Sequence, residues 1–439
     1  MRPLQHLTLE ALRDLLGAEF RQVPDERAPQ RVTWQLHDVL MSGFAMFFFQ
    51  HPSLLQFQQS MEKQTGQSNL QRLFGVKRVP SDTQMRELLD TPAAAEPLRR
   101  VLPQVFERMR QTGWTTRLVT TVNGLNYYTV VLDGSQYFSS EKIQCPFCLR
   151  RKDKNGDIHY SHSVVGATLV RAGSHDILPL DAEEVRNTDG SEKQDCELNA
   201  GKRLVERLRQ EHRQLKMVVA GDDLYAHEPF IEDLRALRMG FVLVAKPESH
   251  KELYEWVEDL DRLGQCVKGT WEEGPLTKRR YFEYRIASQV PLTQSDQVQV
   301  NLVEVWERNK AGKVIYHNAW VTDFEVTAEN VATIVGIGRS RWKIENAQFN
   351  VQKNHGYELE HNYGHGERGL SLVFYLLNLL AFLAHQILEM GDRLYGVCRA
   401  KESRRSLWNA FRTYFRKLVL TSWTAMLEFH LRDEPVLDP

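Results

Sequence analysis

Three acidic residues in this 439-residue chain have positions that suit a shared metal site. Asp133 and Asp222 stand in apolar runs with the pattern of buried strands, residues 127–134 and 216–223, and Glu345 lies in a segment of helical periodicity. Functional groups of an open sheet collect at the carboxyl ends of its strands, so we expect the two aspartates to converge there. Three neighbouring carboxylates repel one another unless a cation neutralises them, and oxygen-only ligation favours Mg²⁺ or Mn²⁺. The pattern predicts two such ions and phosphoryl transfer, in which one activates a water or 3′-hydroxyl and the other stabilises the leaving oxygen.

The segment around Glu345, residues 338–356, reads GRSRWKIENAQFNVQKNHG. Arg341, Glu345, Gln348 and Gln352 recur at i, i+4, i+7 and i+11, which places them on one face of an α-helix. We predict that this polar stripe faces a cleft. The alternative is an ordinary ion pair between Arg341 and Glu345 on a surface helix.

The elements that must position these acids follow a recognisable order. Strands are predicted at residues 127–134, 162–171, 175–180, 216–223 and 241–246, with helices near 195–213 and 229–237. Three strands, a helix, a strand, a helix and a strand is the order of a ribonuclease H-like α/β sheet. We expect the first strand to end at Asp133 with a turn at Gly134. Asp195 or Glu197 can approach the metals from a helix N-terminus, although Asp195 as a simple N-cap is the favoured interpretation.

The regions on either side of this core differ in character. Residues 1–120 have helical periodicity, with a capping box predicted at Ser81 and Gln84. Residues 247–327 alternate aromatic or β-branched residues with polar ones and predict a β-rich insertion. The predicted division is a helical N-terminal region (1–120), the first part of the core (121–246), the insertion (247–327), the last part of the core with Glu345 (328–390) and a basic helical C-terminal region (391–439).

Composition excludes several classes of protein. A content of 42% hydrophobic and 26% charged residues is ordinary for a globular protein, and a net charge of −1 argues against a histone-like binder. Five cysteines suit a reducing compartment, and the first residues lack the apolar core of a signal peptide, so we predict a cytoplasmic protein. Residues 370–388 are long and apolar enough to span a bilayer, but polar residues interrupt them and we predict a helix buried in the protein, with no membrane contact.

Basic residues concentrate near the C-terminus. Residues 399–417 carry seven cations against one acid, interleaved with aromatic residues. The cations are Arg399, Lys401, Arg404, Arg405, Arg412, Arg416 and Lys417. They predict contacts with DNA phosphates, and a solvated helix face is the alternative.

Two cysteines and two histidines follow the first predicted strand. Cys145 and Cys148 form a CPFC motif, and ten residues later His159 and His162 form HYSH. Paired cysteines and histidines can make a tetrahedral structural zinc site that pins a long loop. Free cysteines in a packed loop are the alternative.

The three acids and their neighbours resemble the insertion-sequence transposases, which carry a DDE triad on a ribonuclease H-like fold with a β-insertion before the last acid. The resemblance covers residues 30–390 and depends on LDGSQYF at Asp133, DDLY at Asp222 and RWKIENAQFNVQKN around Glu345. Asp222 is preferred over Asp223 because the aspartate of that family precedes an aromatic residue by three positions. In the family signature an aromatic residue stands three before the arginine and a lysine seven after the glutamate. Here those places hold Gly338 and Gln352, and Lys353 follows one residue later.

The resemblance implies a transposase that cleaves DNA at the ends of its element and joins the freed 3′-hydroxyl to target DNA. It implies that Asp133, Asp222 and Glu345 are catalytic and bind two Mg²⁺ or Mn²⁺ ions, and that Arg341 and Lys353 hold phosphates. The expected partners are the terminal repeats, bound with help from the N-terminal region, the target DNA, and a second copy of the chain in the joined complex. Two alternatives stay open: a metal-dependent nuclease without strand transfer, and a DNA-binding protein that has kept the fold and lost catalysis.

Overall fold

Apolar runs between residues 119 and 322 form the strands of one mixed sheet. A computed structural model of the protein describes residues 7–28, 30, 32–186, 194–294 and 297–432. The strands are β1 (Val119–Val122), β2 (Leu125–Ser140), β3 (Leu149–Lys152), β4 (Ile158–Val170), β5 (Ile177–Glu184), β6 (Met217–Gly221), β7 (Gly240–Val244), β8 (Val267–Glu273), β9 (Arg280–Pro291), β10 (Gln299–Arg308) and β11 (Val314–Thr322). Their order across the sheet is β3-β4-β2-β6-β7-β11-β10-β9-β8, with β1 paired to β2 and β5 paired to β4. Among the described strands β2–β6 and β6–β7 are parallel pairs and the other pairs are antiparallel.

Helices flank this sheet, so the protein is α/β with a mixed and largely antiparallel sheet. They are α1 (Leu9–Phe20), α2 (Leu36–Phe48), α3 (Leu54–Met61), α4 (Gln64–Phe74), α5 (Asp82–Leu89), α6 (Ala95–Gln111), α7 (Glu197–Glu211), α8 (Glu228–Ala236), α9 (Lys251–Arg262), α10 (Val331–Arg339), α11 (Asn350–Asn354), α12 (Leu370–Gly391), α13 (Arg393–Lys401), α14 (Arg404–Lys417) and α15 (Trp423–Arg432). A π-helical turn, Ile344–Phe349, precedes α11. Residues 1–6 and 433–439, at the ends of the predicted terminal regions, lie outside the described residues, as do residues 187–193 of the acidic segment.

Helix α12 is the buried helix that its apolar sequence predicts. It packs against α2, α6 and β5, and every residue from Leu370 to Leu388 is buried. Within the described part of the chain it is the one helix whose length and hydropathy could span a membrane, and 94% of its most apolar window is buried inside the protein. The polar residues that interrupt its apolar run have partners, since Asn378 donates to the carbonyl oxygen of Tyr357 at 2.9 Å and His385 contacts the Tyr357 hydroxyl at 2.5 Å. The predicted burial is confirmed, and the cytoplasmic location stays a prediction.

Strand β2 is longer than its sequence pattern predicts. It does not end at Asp133 but continues to Ser140, because its antiparallel partner β4 continues the pairing as far as Ser140 opposite Tyr160. Gly134 has no positive φ and makes no turn, so the predicted strand end was wrong. What ends near Asp133 is the parallel pairing with β6, whose last pair is Val131 with Ala220.

The strands between residues 247 and 327 belong to the same sheet as the core. Strand β11 pairs with β7, and β10, β9 and β8 follow outward from it. The segment begins with helix α9, which the strand-rich pattern did not predict. Leu253 and Val257, four residues apart, are the buried residues of α9, which packs on β9. Such a narrow apolar face is a weak helical signal in a region dominated by alternating residues.

Capping residues were predicted at the N-termini of two helices, α5 and α7. Ser81 and Gln84 form the predicted capping box at the start of α5. Helix α7 instead has Cys196 at its N-cap position without a side-chain cap bond, so the prediction of Asp195 as N-cap was wrong. The Asp195 carboxylate accepts from the Arg186 amide at 3.0 Å and pairs with the Arg203 guanidinium at 2.8 Å. The carboxylate is therefore held by the Arg186 amide and the Arg203 guanidinium, which lie away from the N-cap position of α7.

Close packing of α10 on β11 explains why a glycine stands at position 338. A Cβ there would lie 2.4 Å from Nε1 and 2.6 Å from Cδ1 of Trp320, whose side chain is completely buried. The indole ring of Trp320 occupies the space that a side chain at position 338 would need. The departure from the family signature at Gly338 therefore has a local steric cause.

We expect Gly338→Ala to lower the free energy of unfolding by about 1–3 kcal/mol, because the buried indole must move to admit the new methyl group. Gly396→Ala in α13 is the matched control: a Cβ there would meet no atom within 4 Å. The control should raise stability by about 0.5–1 kcal/mol, since alanine is the better helix former. Urea unfolding followed by circular dichroism measures both, and equal effects of the two substitutions would contradict the packing argument.

Candidate functional site

Asp133 and Asp222 lie beside each other just beyond the point where the parallel pairing of β2 with β6 ends. Each stands two residues beyond the last parallel pair, Val131 with Ala220. Asp222 caps a short 3₁₀ turn, Asp223–Tyr225, and its carboxylate accepts from the Leu224 amide at 3.0 Å. The structure therefore brings the two aspartates together, as the sequence predicted.

The second of the two adjacent aspartates has a different position. Asp223 accepts from the Lys246 amide at 2.7 Å and from the Ser249 hydroxyl, and its carboxylate lies 3.3 Å from Nε2 of His250. These contacts tie it to the segment after β7. Asp222 is the aspartate that acts electrostatically on Asp133, which agrees with the choice made from the sequence.

Glu345 reaches the same edge on the π-helical turn. Ile344 and Phe349 of that turn are buried and face β4, where Gly166 pairs directly with Asp133. A Cβ at Gly166 would lie only 2.9 Å from Cζ of Phe349. The glycine therefore lets the turn pack closely on the strand beside Asp133, and this contact sets the position of Glu345.

The electrostatics of Asp133 show that carboxylates are concentrated here. Its pKa is raised to about 6, because burial and the charges of Asp222, Glu197 and Glu345 raise it while Arg341 lowers it. The Arg341 guanidinium lies 3.3 Å from the Asp133 carboxylate. One arginine does not offset burial together with three neighbouring acids. The donor set, carboxylate oxygens with excess negative charge, fits a hard divalent cation.

Glu197 is a fourth acid of this site, which the sequence analysis considered but did not select. It lies in the first turn of α7, and a Cβ at Gly134 would lie 2.3 Å from its Oε2 atom. Its Oε1 accepts from the Tyr225 hydroxyl at 3.1 Å. Burial raises the pKa of Glu197, the Tyr225 hydrogen bond lowers it and the charge of Asp222 raises it. The signal in the sequence was an acidic residue at the start of a predicted helix, directly after a polar segment. Gly134 has no side chain, which leaves room for the Glu197 carboxylate.

The predicted polar stripe does not exist as a single face. Arg341 and Glu345 line an open cavity with Asp133, but Gln348 and Gln352 are completely buried. Gln348 accepts a hydrogen bond from the Thr168 hydroxyl in β4, and Gln352 donates to Asn378 of α12 at 3.1 Å. The prediction was wrong because it assumed an unbroken α-helix, whereas the turn that carries Glu345 is a π-helix.

The π-helical turn also decides which residue lies on the same face as Glu345 about two turns later. On an α-helix the residue seven positions after Glu345, Gln352, would share its face. A π-helix closes its hydrogen bonds from i to i+5 and so accommodates one additional residue. Lys353, eight positions after Glu345, consequently lines the cavity with Glu345, Asp133 and Arg341, and its ammonium group pairs with Glu360 at 2.9 Å.

The cations predicted to contact DNA near the C-terminus fall into two groups. Arg404 pairs with Glu389 at 2.7 Å, and Arg412 donates to the carbonyl oxygens of Phe49 and Gln50 at 2.8 and 2.7 Å. These two hold α14 against the rest of the protein. Arg399 of α13 also pairs with Glu389, at 3.2 Å, and the other four cations are exposed: Lys401, Arg405, Arg416 and Lys417.

The four predicted zinc ligands do not all meet. Cys145, Cys148 and His162 lie together, but His159 does not join them, and the fourth member of the cluster is His365. Both histidines of the HYSH motif lie in β4, and side chains three residues apart in a strand point to opposite faces. The His159 imidazole lies 3.7 Å from Asp153, with about a third of its side chain exposed. The prediction of His159 was therefore wrong, and the local sequence contained no signal for His365.

A pair of substitutions tests the register that the π-helical turn imposes. Gln352→Lys should lower the free energy of unfolding by about 3–5 kcal/mol, because it buries a charge without a partner. Lys353→Gln, one residue later, should change it by less than about 1 kcal/mol, because this side chain is partly exposed and its ion pair with Glu360 is screened by water. Denaturant unfolding of both variants measures the difference. Similar losses, or a larger loss for Lys353→Gln, would contradict the register.

No family model matches the sequence, and no curated protein matches it. Evidence for function therefore comes from the geometry of the four carboxylates and from the three short motifs that contain Asp133, Asp222 and Glu345.

Proposed function

We propose that the protein is a DDE transposase, which cleaves DNA at the ends of its element and transfers the resulting 3′-hydroxyl to target DNA. The observation that carries the proposal is the meeting of Asp133, Asp222 and Glu345, from three distant parts of the chain, at one edge of the sheet. Magnesium or manganese ions bound there would supply the activation of the attacking oxygen and the stabilisation of the leaving oxygen.

The arrangement of elements supports a ribonuclease H-like core. Three antiparallel strands (β2, β4 and β5) are followed by α7, the parallel strand β6, α8 and the parallel strand β7. The two aspartates lie just beyond the parallel pairing of β2 with β6, and the glutamate follows β8–β11 on a helical segment. This is the element order that the resemblance to insertion-sequence transposases implies.

Each polar residue around the cavity has a distinct task in this proposal. Asp133, Asp222 and Glu345 hold the two metal ions, and Glu197, oriented by the Tyr225 hydroxyl, adds a fourth carboxylate. Arg341 and Lys353 lie on the same wall as Glu345 and provide charge-assisted bonds to the phosphates flanking the scissile bond.

Exposed aromatic and basic side chains suit a nucleic-acid partner. Trp342 has 52% of its surface exposed, and it stands in sequence between Arg341 and the π-helical turn. An exposed indole offers a face on which an unpaired base can stack, worth about 1–3 kcal/mol per base. Arg405, Arg416 and Lys417 of α14 add exposed positive charge for DNA phosphates. The N-terminal helices are assigned to the terminal repeats, and two element ends call for at least two copies of the chain in the joined complex.

The central test uses a plasmid that carries the gene with the DNA that flanks it, incubated with purified protein and Mg²⁺ or Mn²⁺. Asp133→Asn, Asp222→Asn and Glu345→Gln should each reduce cleavage by at least about 10³-fold, since each removes a charged metal ligand. Binding of the same DNA in a gel-shift assay should change less than about threefold, because phosphate contacts come from basic residues. Glu329→Gln, an exposed acid outside the cavity, is the matched control and should keep full cleavage.

The outcomes separate the proposal from its alternatives. Cleavage retained in any of the three variants, or in wild-type protein with a chelator, would count against the triad. Cleavage without joining of a precut end to a second plasmid would make the protein a metal-dependent nuclease. DNA binding without cleavage, and with no Mn²⁺ binding by calorimetry, would make it a DNA-binding protein that has lost catalysis.

A further inference from the structure

A second cluster of metal-binding side chains lies apart from the four carboxylates. Cys145 and Cys148 come from the segment after β2, His162 from β4 and His365 from the loop before α12. Cys145, His162 and His365 are buried, and Cys148 is partly buried. Their sulfur and nitrogen atoms all lie within 4.8 Å of one another.

The distances within the cluster are those of the corners of a tetrahedron around a zinc ion. The two sulfurs are 3.8 Å apart, and sulfur-to-Nε2 distances are 3.4 Å (Cys145 to His162), 3.5 Å (Cys148 to His162) and 3.3 Å (Cys148 to His365). The two Nε2 atoms are 3.1 Å apart. Zinc bond lengths and tetrahedral angles give about 3.8 Å between sulfurs, about 3.6 Å from sulfur to nitrogen and about 3.3 Å between nitrogens. These five distances agree with the expected values to within about 0.3 Å, and the sixth, from Cys145 to His365, lies within 4.8 Å.

Both histidines are oriented for metal binding by a partner on the other ring nitrogen. Nδ1 of His162 lies 3.1 Å from the Glu184 carboxylate, and Nδ1 of His365 lies 2.9 Å from the carbonyl oxygen of Gly366. Each partner accepts the Nδ1 proton and leaves the Nε2 lone pair directed into the cluster. Carboxylates and backbone carbonyls are the usual outer partners of zinc-bound histidines.

We propose that Cys145, Cys148, His162 and His365 bind one structural Zn²⁺ ion. Two thiolates and two imidazoles in tetrahedral positions favour zinc over the hard cations expected at the carboxylates. Four protein ligands complete the coordination sphere and leave no position for water or substrate, so the ion has a structural and not a catalytic role. The inference does not depend on the proposed function.

The ion would join the segment that follows Asp133 to the loop that follows Glu345. His162 and His365 are 203 residues apart. The cysteines follow β2, which carries Asp133, and His365 lies in the loop that follows the segment with Glu345 and Lys353. Phe138 near the end of β2 already packs on the His365 ring, with centroids 4.4 Å apart. Zinc would therefore fix the end of β2 to the loop after α11 and hold the two walls of the cavity together.

The experiment is a zinc measurement on the full-length protein, purified under reducing conditions and analysed by inductively coupled plasma mass spectrometry. One zinc per chain is expected in wild-type protein and none in Cys148→Ser or His365→Ala. His159→Ala is the matched control, since it removes the other histidine of the HYSH motif, and it should keep one zinc per chain. Glu184→Gln should retain the site but weaken zinc affinity by about 10–100-fold, measured by competition with a chromogenic chelator.

Two further measurements apply if the ligand variants fail to fold. Wild-type protein exchanged into Co²⁺ should show the visible bands of tetrahedral cobalt with a thiolate charge-transfer band, and removal of zinc by chelation should lower the melting temperature. Wild-type protein that holds no zinc after purification with added Zn²⁺ would overturn the proposal. So would full zinc content in a Cys148→Ser/His365→Ala double variant.

Discussion

Repulsion among four carboxylates at one edge of the sheet is the constraint on which the rest of the structure depends. Asp133, Asp222, Glu197 and Glu345 belong to four different elements, and the charges of the other three add to burial in raising the pKa of Asp133. Left to themselves these groups would separate or take up protons. They stay together because each is carried by a well-anchored element: two adjacent strands, the first turn of a helix, and a π-helical turn packed on Gly166.

A buried polar network holds the Glu345 segment in register. Gln348 binds Thr168 of the sheet, Gln352 binds Asn378 of α12, and Asn378 in turn binds the Tyr357 carbonyl. Buried polar groups are costly when unpaired, so a slip of one residue along this segment would lose several hydrogen bonds at once. Asn378, a polar residue in the apolar run of α12, thus helps to fix the positions of Glu345 and Lys353.

Sequence patterns predicted the parts of the fold that local periodicity controls. Apolar runs and their spacing predicted the strands that precede Asp133 and Asp222, the helices α7 and α8, and the buried helix α12. The patterns failed where distant contacts decide the outcome. β2 continues past Asp133 because β4 continues beside it. Asp195 pairs with Arg203 and does not cap α7, and His365 lies beside cysteines more than 200 residues away. Glu197 was a candidate in the sequence, but only the absence of a side chain at Gly134 shows that its carboxylate reaches the site.

The π-helical turn has a consequence for how such proteins are recognised. A helix can absorb one inserted residue by widening a single turn, so the side chains beyond the insertion keep their orientation toward a cleft although their count along the chain has changed. Glu345 and Lys353 face the same cavity at a separation of eight, where a fixed pattern would require seven. A signature written as a number of residues between an acid and a base would therefore pass over a chain in which that geometry is intact.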